Sequence, residues 1–185
     1  VILPADLFEE DHDEELVPML EWIGGQPGDL YLETRVDFGD VFGYVGLGGT
    51  ADILLVEPDR ITIADLKFGR GVVEVDRNPQ LLTYLFGAVQ QFGRRPFYRL
   101  AILQPRAWHP AGPIRTYDVT SDELEVFAFE LQEAIEANYG NGRLSAGSHC
   151  QHYCEVFGRC KEASAERRRR LARTPEEAEG RWTCL

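Results

Sequence analysis

Apolar residues recur along this chain at two periods, and the order in which the periods alternate sets out a fold. After the acidic stretch Glu9 to Glu15, Leu16, Val17, Leu20 and Ile23 fall at helical spacing and Gly24-Gly25 closes the segment. From Tyr31 to Phe38 the period drops to two: Leu32, Thr34, Val36 and Phe38 take one side, Glu33, Arg35 and Asp37 the other. Gly39 to Gly49 reads as a turn, since its FGYVGLGG run lacks the lysine-serine ending of a phosphate-binding loop and leads into a strand. Thr50–Val56 and Ile61–Lys67 then form a hairpin about Pro58-Asp59. Beyond a loop from Phe68 to Arg77, Asn78 is an N-cap and Pro79 the first residue of a helix to Phe92. Leu81, Leu82, Leu85, Phe86 and Val89 supply its inner face, and Gly93 stops it. Phe97–Gln104 and Ile114–Val119 read as strands around a loop at Trp108–Pro113. Thr120-x-x-Glu123 is a capping box opening a helix to about Tyr139, with Leu124, Phe127, Leu131 and Ile135 inward and Gly140 as its stop. The order, without internal repeats, predicts an α/β fold with a mixed central sheet flanked by helices.

Three charges interrupt the apolar rows of the hairpin. Asp65 and Lys67 share a face with Ile61 and Ile63, and Asp52 shares one with Leu54 and Val56. A buried unpaired carboxylate is costly, so these residues need partners, and two aspartates with one lysine suit a divalent cation such as Mg2+ or Mn2+. Asp52 and Asp65 are the expected direct ligands, the backbone carbonyl of Leu66 a further oxygen, and Glu33 on the preceding strand a residue to complete the set. Lys67 would orient or deprotonate an attacking water and offset charge on a phosphoryl oxygen. A surface ion pair between Asp65 and Lys67 accounts for the D-x-K spacing equally well on its own. Gln80 and Tyr84, four apart, occupy one face of the following helix.

The 185 residues, 44% hydrophobic, are enough for one domain with a core and a small appendage, divided here as 1–140 and 141–185. The net charge of -12 argues against nucleic-acid binding by bulk charge, though Lys67, Arg70, Arg77, Arg94, Arg95, Arg99, Arg106 and Arg115 trail the hairpin, each read as solvated surface. No apolar run nears the roughly 20 residues of a membrane span, and VILPADLFEE has no basic signal-peptide start, so the expected setting is intracellular and cytoplasmic. Met19 is the only methionine, and an upstream element is expected to precede the sequence. The four cysteines, Cys150, Cys154, Cys160 and Cys184, cluster near the end, a spacing that in an intracellular chain favours a metal over disulfides. Thiolates suit iron-sulfur and zinc alike, and a metal-free remnant is the third possibility; His149 and His152 read as bystanders. The run Arg167–Arg170 is expected to form a solvated helix with Glu162 and Glu166.

GTAD, then IADLK with its aspartate thirteen residues after Asp52, then NPQLLTY resembles the PD-(D/E)XK nucleases, specifically the RecB-like exonuclease branch of phages and prophages. The resemblance covers roughly Leu30 to Phe92 and extends to the cysteine tail. It implies a restriction-endonuclease-like core and a metal-dependent deoxyribonuclease, an exonuclease acting on DNA beside a recombination or helicase partner. Asp52, Asp65 and Lys67 match the family's metal-binding and water-activating set, and Gln80 and Tyr84 its Q-x-x-x-Y helix. It further implies a [4Fe-4S] cluster on a terminal cysteine group; Cys154 to Cys160 keeps the C-x5-C interval, while Cys150 to Cys154 is C-x3-C and Cys184 has to serve as the fourth ligand. The family's upstream histidine ligand has His12 as its one counterpart, placed before its helix; the ligand is lost, lies upstream, or is replaced by Glu33. A nuclease-fold module that has lost turnover and binds nucleic acid is the alternative function.

Overall fold

The computed structural model describes residues 13–140, 146–147, 150 and 154–171. His12, His149, His152 and Cys184 lie outside the described residues. The elements are α1 (Asp13–Gly24), β1 (Asp29–Asp37), a 3-10 turn at Gly39–Phe42, β2 (Gly48–Val56), β3 (Arg60–Leu66), α2 (Pro79–Phe92), β4 (Phe97–Leu103), β5 (Ile114–Val119), α3 (Ser121–Tyr139), a second 3-10 turn at Phe157–Arg159 and α4 (Lys161–Leu171). The five strands form one mixed sheet in chain order, antiparallel except where β3 runs parallel to β4. That parallel pair requires a crossover, and α2 provides it. The chain divides into two compact units between Glu133 and Ala134, within α3.

Helices cover both faces of the sheet in the first unit. On one face Met19 and Ile23 of α1 pack with Ile53, Leu55, Ala64, Ala101 and Leu103. The buried stripe of α1 is therefore Met19 and Ile23, with Trp22 alongside, while Val17 is 39% exposed. Each residue turns a helix by about 100°, so the expected stripe was offset by a fraction of a turn. On the other face α2 packs across β1 to β4, burying the predicted Leu81, Leu82, Leu85, Phe86 and Val89. Gly87 brings α2 close to the sheet: a Cβ there would stand 3.0 Å from that of Val36.

β1 departs from simple alternation. Tyr31 meets the Phe92 ring of α2 at 5.0 Å, and Val36 lies under Gly87 of the same helix, although the two are an odd number of residues apart. Glu33, with φ of 45°, sits between them, and its left-handed backbone resets which way the strand's side chains point. Leu32, expected on the inner row, is 46% exposed in consequence.

The capping box forms as predicted. The Thr120 hydroxyl accepts from the Glu123 amide at 3.1 Å, and the Glu123 carboxylate accepts from the Thr120 amide at 3.0 Å. Leu124, Phe127 and Ile135 of α3 are buried. In the second unit α4 carries the expected charge pairing, with Arg169 bridging to Glu162 at 3.0 Å and Glu166 at 3.4 Å. No helix among the described residues is long and apolar enough to cross a membrane.

Candidate active site

The hairpin register carries the site. Ile53 and Ala64 of the paired strands belong to the α1 core, so Leu54, Ile63 and Asp65 point at α2. Asp65 lies in this row with 2% of its surface exposed. Asp52 stands one step beyond the Ile53–Ala64 pair, beside Asp65, and is half-buried. Its Oδ2 accepts from the Leu66 amide at 3.0 Å, which fixes its orientation. Leu66, whose carbonyl the sequence offers as a further oxygen, thus ties Asp52 to β3 through its amide.

Lys67 follows directly after β3, its amide donating to the Leu103 carbonyl at 2.9 Å. Its Nζ stands 2.7 Å from Asp65 Oδ2. Among the described residues this ammonium is the one partner of the buried Oδ2. Asn78 launches the helix that meets them: its Oδ1 accepts from the Gln80 and Leu81 amides at 3.1 and 3.2 Å. The Gln80 side chain then donates to Asp65 Oδ1 at 3.2 Å and to Tyr84 Oη at 3.2 Å, and accepts from Lys67 Nζ at 3.4 Å. Five of the expected residues, Asp52, Asp65, Lys67, Gln80 and Tyr84, thereby meet in one connected group.

Gly49 makes room for that group. A Cβ there would overlap Tyr84 Cε1, so the tyrosine ring lies flat on β2 only because the residue is glycine. Burial pushes the Asp65 carboxyl above its ordinary range; the Lys67 bond opposes this and the neighbouring Asp52 charge adds to it. Two anionic groups held together at such a place are the arrangement a divalent cation would stabilise.

Glu33 does not join this group as a third ligand. The β1–β2 register passes from Leu32–Ile53 to Thr34–Ala51, which leaves Glu33 level with Asp52 but exposed, its left-handed backbone breaking the pairing there. Among the described residues no three His, Cys, Asp or Glu side chains converge as a metal-binding set. Asp52 and Asp65 are two carboxylates, a number that suits magnesium, which retains most of its waters. The three described cysteines, Cys150, Cys154 and Cys160, likewise form no such set among the described residues: Cys160 Sγ accepts from the Ala163 amide at 3.5 Å at the start of α4, and Cys150 Sγ accepts from the Gly147 amide at 3.5 Å.

The trailing arginines divide. Arg99 is paired with Asp118, Arg94 with Glu125 and Arg106 with Glu15. Arg70 and Arg77 are exposed on the loop between Lys67 and Asn78. Arg115, expected at the surface, is instead buried, at 4% exposure, with Gln104 at 0% beside it. No pattern marked them: Arg115 shares β5 with Thr116 and Asp118, and Gln104 follows the last residue of β4.

The model of a family described as "Protein of unknown function (DUF2800)" matches residues 25–179. Among solved structures the chain is similar to one described as "Crystal structure of SSO0001", at 14% identity, covering 87% of this chain and 72% of that one with a TM-score of 0.40. A likeness that slight carries no argument about function.

Proposed function

The chain belongs to the DUF2800 family, and from the geometry of its site we propose that it is a divalent-metal-dependent deoxyribonuclease of PD-(D/E)XK type, an exonuclease in phage DNA processing, recombination or repair. One observation carries the reading: Asp65, 2% exposed, lies beside a second carboxylate, Asp52, with Lys67 on its Oδ2 and Gln80 on its Oδ1. A merely structural ion pair has no need of a second carboxylate beside its buried one, which raises the cost of the charge. The two left-handed non-glycine residues among those described, Glu33 at φ 45° and Arg77 at φ 49°, flank the same group, where backbone strain is characteristically kept for function.

Asp52 and Asp65 would hold Mg2+ or Mn2+, which supplies Lewis acidity toward a phosphoryl oxygen and lowers the pKa of water. Lys67 Nζ orients the attacking water and offsets charge gathering on the phosphate. Gln80 fixes Asp65 and Lys67 relative to each other and hands a hydrogen bond to Tyr84, leaving the tyrosine hydroxyl proton free to donate toward the DNA strand. Water oxygen bonds to phosphorus as the ester P–O bond breaks, and the leaving sugar oxygen takes up a proton.

The test is degradation of linear DNA with Mg2+ or Mn2+ and its loss in chelator. Asp65→Ala and Lys67→Ala should each abolish it in protein that still melts cooperatively; full activity in either would end the assignment. The Lys67–Asp65 ion pair, closed at 2.7 Å, favours a second reading, a nuclease-fold DNA-binding module without turnover. Salt-sensitive DNA binding with no metal-dependent cleavage by the protein would select it. A nuclease of this kind works in the cytoplasm, beside a recombination or helicase partner. For Cys150, Cys154, Cys160 and Cys184 the corresponding reading is a structural [4Fe-4S] cluster or zinc. Anaerobically purified protein lacking stoichiometric iron and zinc would remove it.

A further inference from the structure

Gln104 and Arg115 take no part in the chemistry above, yet they are the two buried polar residues that reach the site's connecting loop. Asp65, Ile102 and Arg115 lie level across β3, β4 and β5, on the α2 side of the sheet. Arg115 has no carboxylate within ion-pair distance among the described residues. Its Nη atoms donate to the carbonyls of Gly112 at 3.1 Å and Val73 at 2.8 Å and to Gln104 Oε1 at 2.8 Å, and its Nε is buried without an acceptor. Gln104 Nε2 donates to the carbonyls of Gly69 at 3.0 Å and Gly71 at 2.7 Å, while its Oε1 also accepts from the Val73 amide at 3.1 Å.

Every group these side chains grip between Gly69 and Val73 is backbone, so the grip fixes the path of the loop. The loop leaves Lys67 and arrives at Asn78, whose cap starts the helix bearing Gln80. Burying a cation without an anion is a poor way to gain stability; an apolar pair of similar volume serves that end better. A loop held open and indifferent to position needs no such device.

We propose that Gln104 and Arg115 are positioning residues for the hydrolytic centre, which set the separation of Lys67 and Gln80 by clamping the loop between them. The inference rests on the nuclease reading. Arg70 and Arg77, exposed on the clamped loop, make trypsin a direct probe of it.

The experiment compares wild-type protein with Gln104→Glu, Arg115→Gln and the double variant, measuring tryptic cleavage after Arg70 and Arg77 alongside Mg2+-dependent DNA degradation. Gln104→Glu keeps both acceptor bonds and pairs with Arg115, so it folds even if Arg115→Gln does not, while its carboxylate repels the carbonyls of Gly69 and Gly71. We expect faster cleavage at the loop, kcat lower by about ten- to a hundredfold as for other misplaced catalytic groups, and an unchanged KM for DNA. The double variant should be no worse than the more damaging single one, because both act through the same loop. A loosened loop with wild-type kcat, or wild-type resistance to trypsin in the variants, overturns the proposal. Absence of cleavage by the unsubstituted protein overturns the nuclease reading itself, and is recognised before any variant is made.

Discussion

On the α1 face of the sheet, Met19, Ile23, Ile53, Leu55, Ala64, Ala101 and Leu103 pack together, and the buried polar side chain beside them, Thr62 opposite Leu55, is uncharged. On the opposite face the same strands interleave Asp65 and Arg115 with Leu54, Ile63 and Ile102, and the two residues of left-handed backbone lie at its margins. Adjacent residues of one strand thus serve opposite ends. The dry face holds the strands in register, which lets the other face tolerate a buried carboxylate beside a second one and a guanidinium that has no carboxylate partner among the described residues. Stability and chemistry are separated by one step along the backbone.

The sharpest way to break this comparison is to exchange a residue on each face. Asp65→Asn should reduce metal-dependent DNA cleavage by roughly 10³-fold or more, the scale of losing one essential group, and should raise the melting temperature in chelator. Burial lifts the folded pKa of Asp65 above its unfolded value. Its charge therefore costs stability at pH above that folded pKa, and the cost vanishes as pH falls through it. Melts of wild type and variant across acid to neutral pH should converge toward acid; a variant less stable than wild type at neutral pH contradicts the account of Asp65.

Leu55, on the dry face and fully buried, should behave in the reverse way. Leu55→Ala is expected to cost about 2–5 kcal/mol by urea denaturation, with kcat per folded molecule unaltered. Gly49→Ala tests the boundary between chemistry and packing: the Tyr84 ring must move, at about 1–3 kcal/mol for an overfilled site, and DNA cleavage should fall. Equal activity with Tyr84 fluorescence or crystallographic position unchanged would show the ring to be indifferent. The smallest effect is expected away from both faces. Thr120→Ala removes the hydroxyl half of the capping box and should cost about 1 kcal/mol, with no change in cleavage.

How much of this could be read from the sequence depended on how local the cause was. The hairpin, the Asn78 cap, the Thr120–Glu123 box and the residues of α2 that face the sheet follow from short-range rules, and each stands where the pattern puts it. Glu33 shows the limit: alternation assumes extended backbone at every residue, and one left-handed residue turned Leu32 outward. Arg115 escaped because a charge in a strand is ordinarily a solvated one, Gln104 because a polar residue past a strand end reads as loop, and the partners of both include carbonyls of a loop up to 42 residues away in sequence. The convergence of Asp52, Asp65 and Lys67 with Gln80 and Tyr84 was legible; the register sets Glu33 level with Asp52, but its left-handed backbone and exposed side chain, which no pattern foretells, leave it outside the group. For the cysteines, spacing alone could not gather side chains that the described residues leave apart.

The parallel crossover through α2 also imposes a timetable on the nascent chain. Asp52 and Asp65 belong to a short hairpin, whose loop closes cheaply and early, whereas the hold on Val73 requires β4 and then β5 to be paired. During synthesis the carboxylates are therefore expected to meet before Arg115 has left the ribosome, and the loop bearing the route from Lys67 to Gln80 to set only once β5 has paired. In pulse-labelling hydrogen exchange the amide of Val73 should gain protection after that of Leu66. Topology in this way separates the meeting of the two carboxylates from the fixing of the loop that links Lys67 to Gln80.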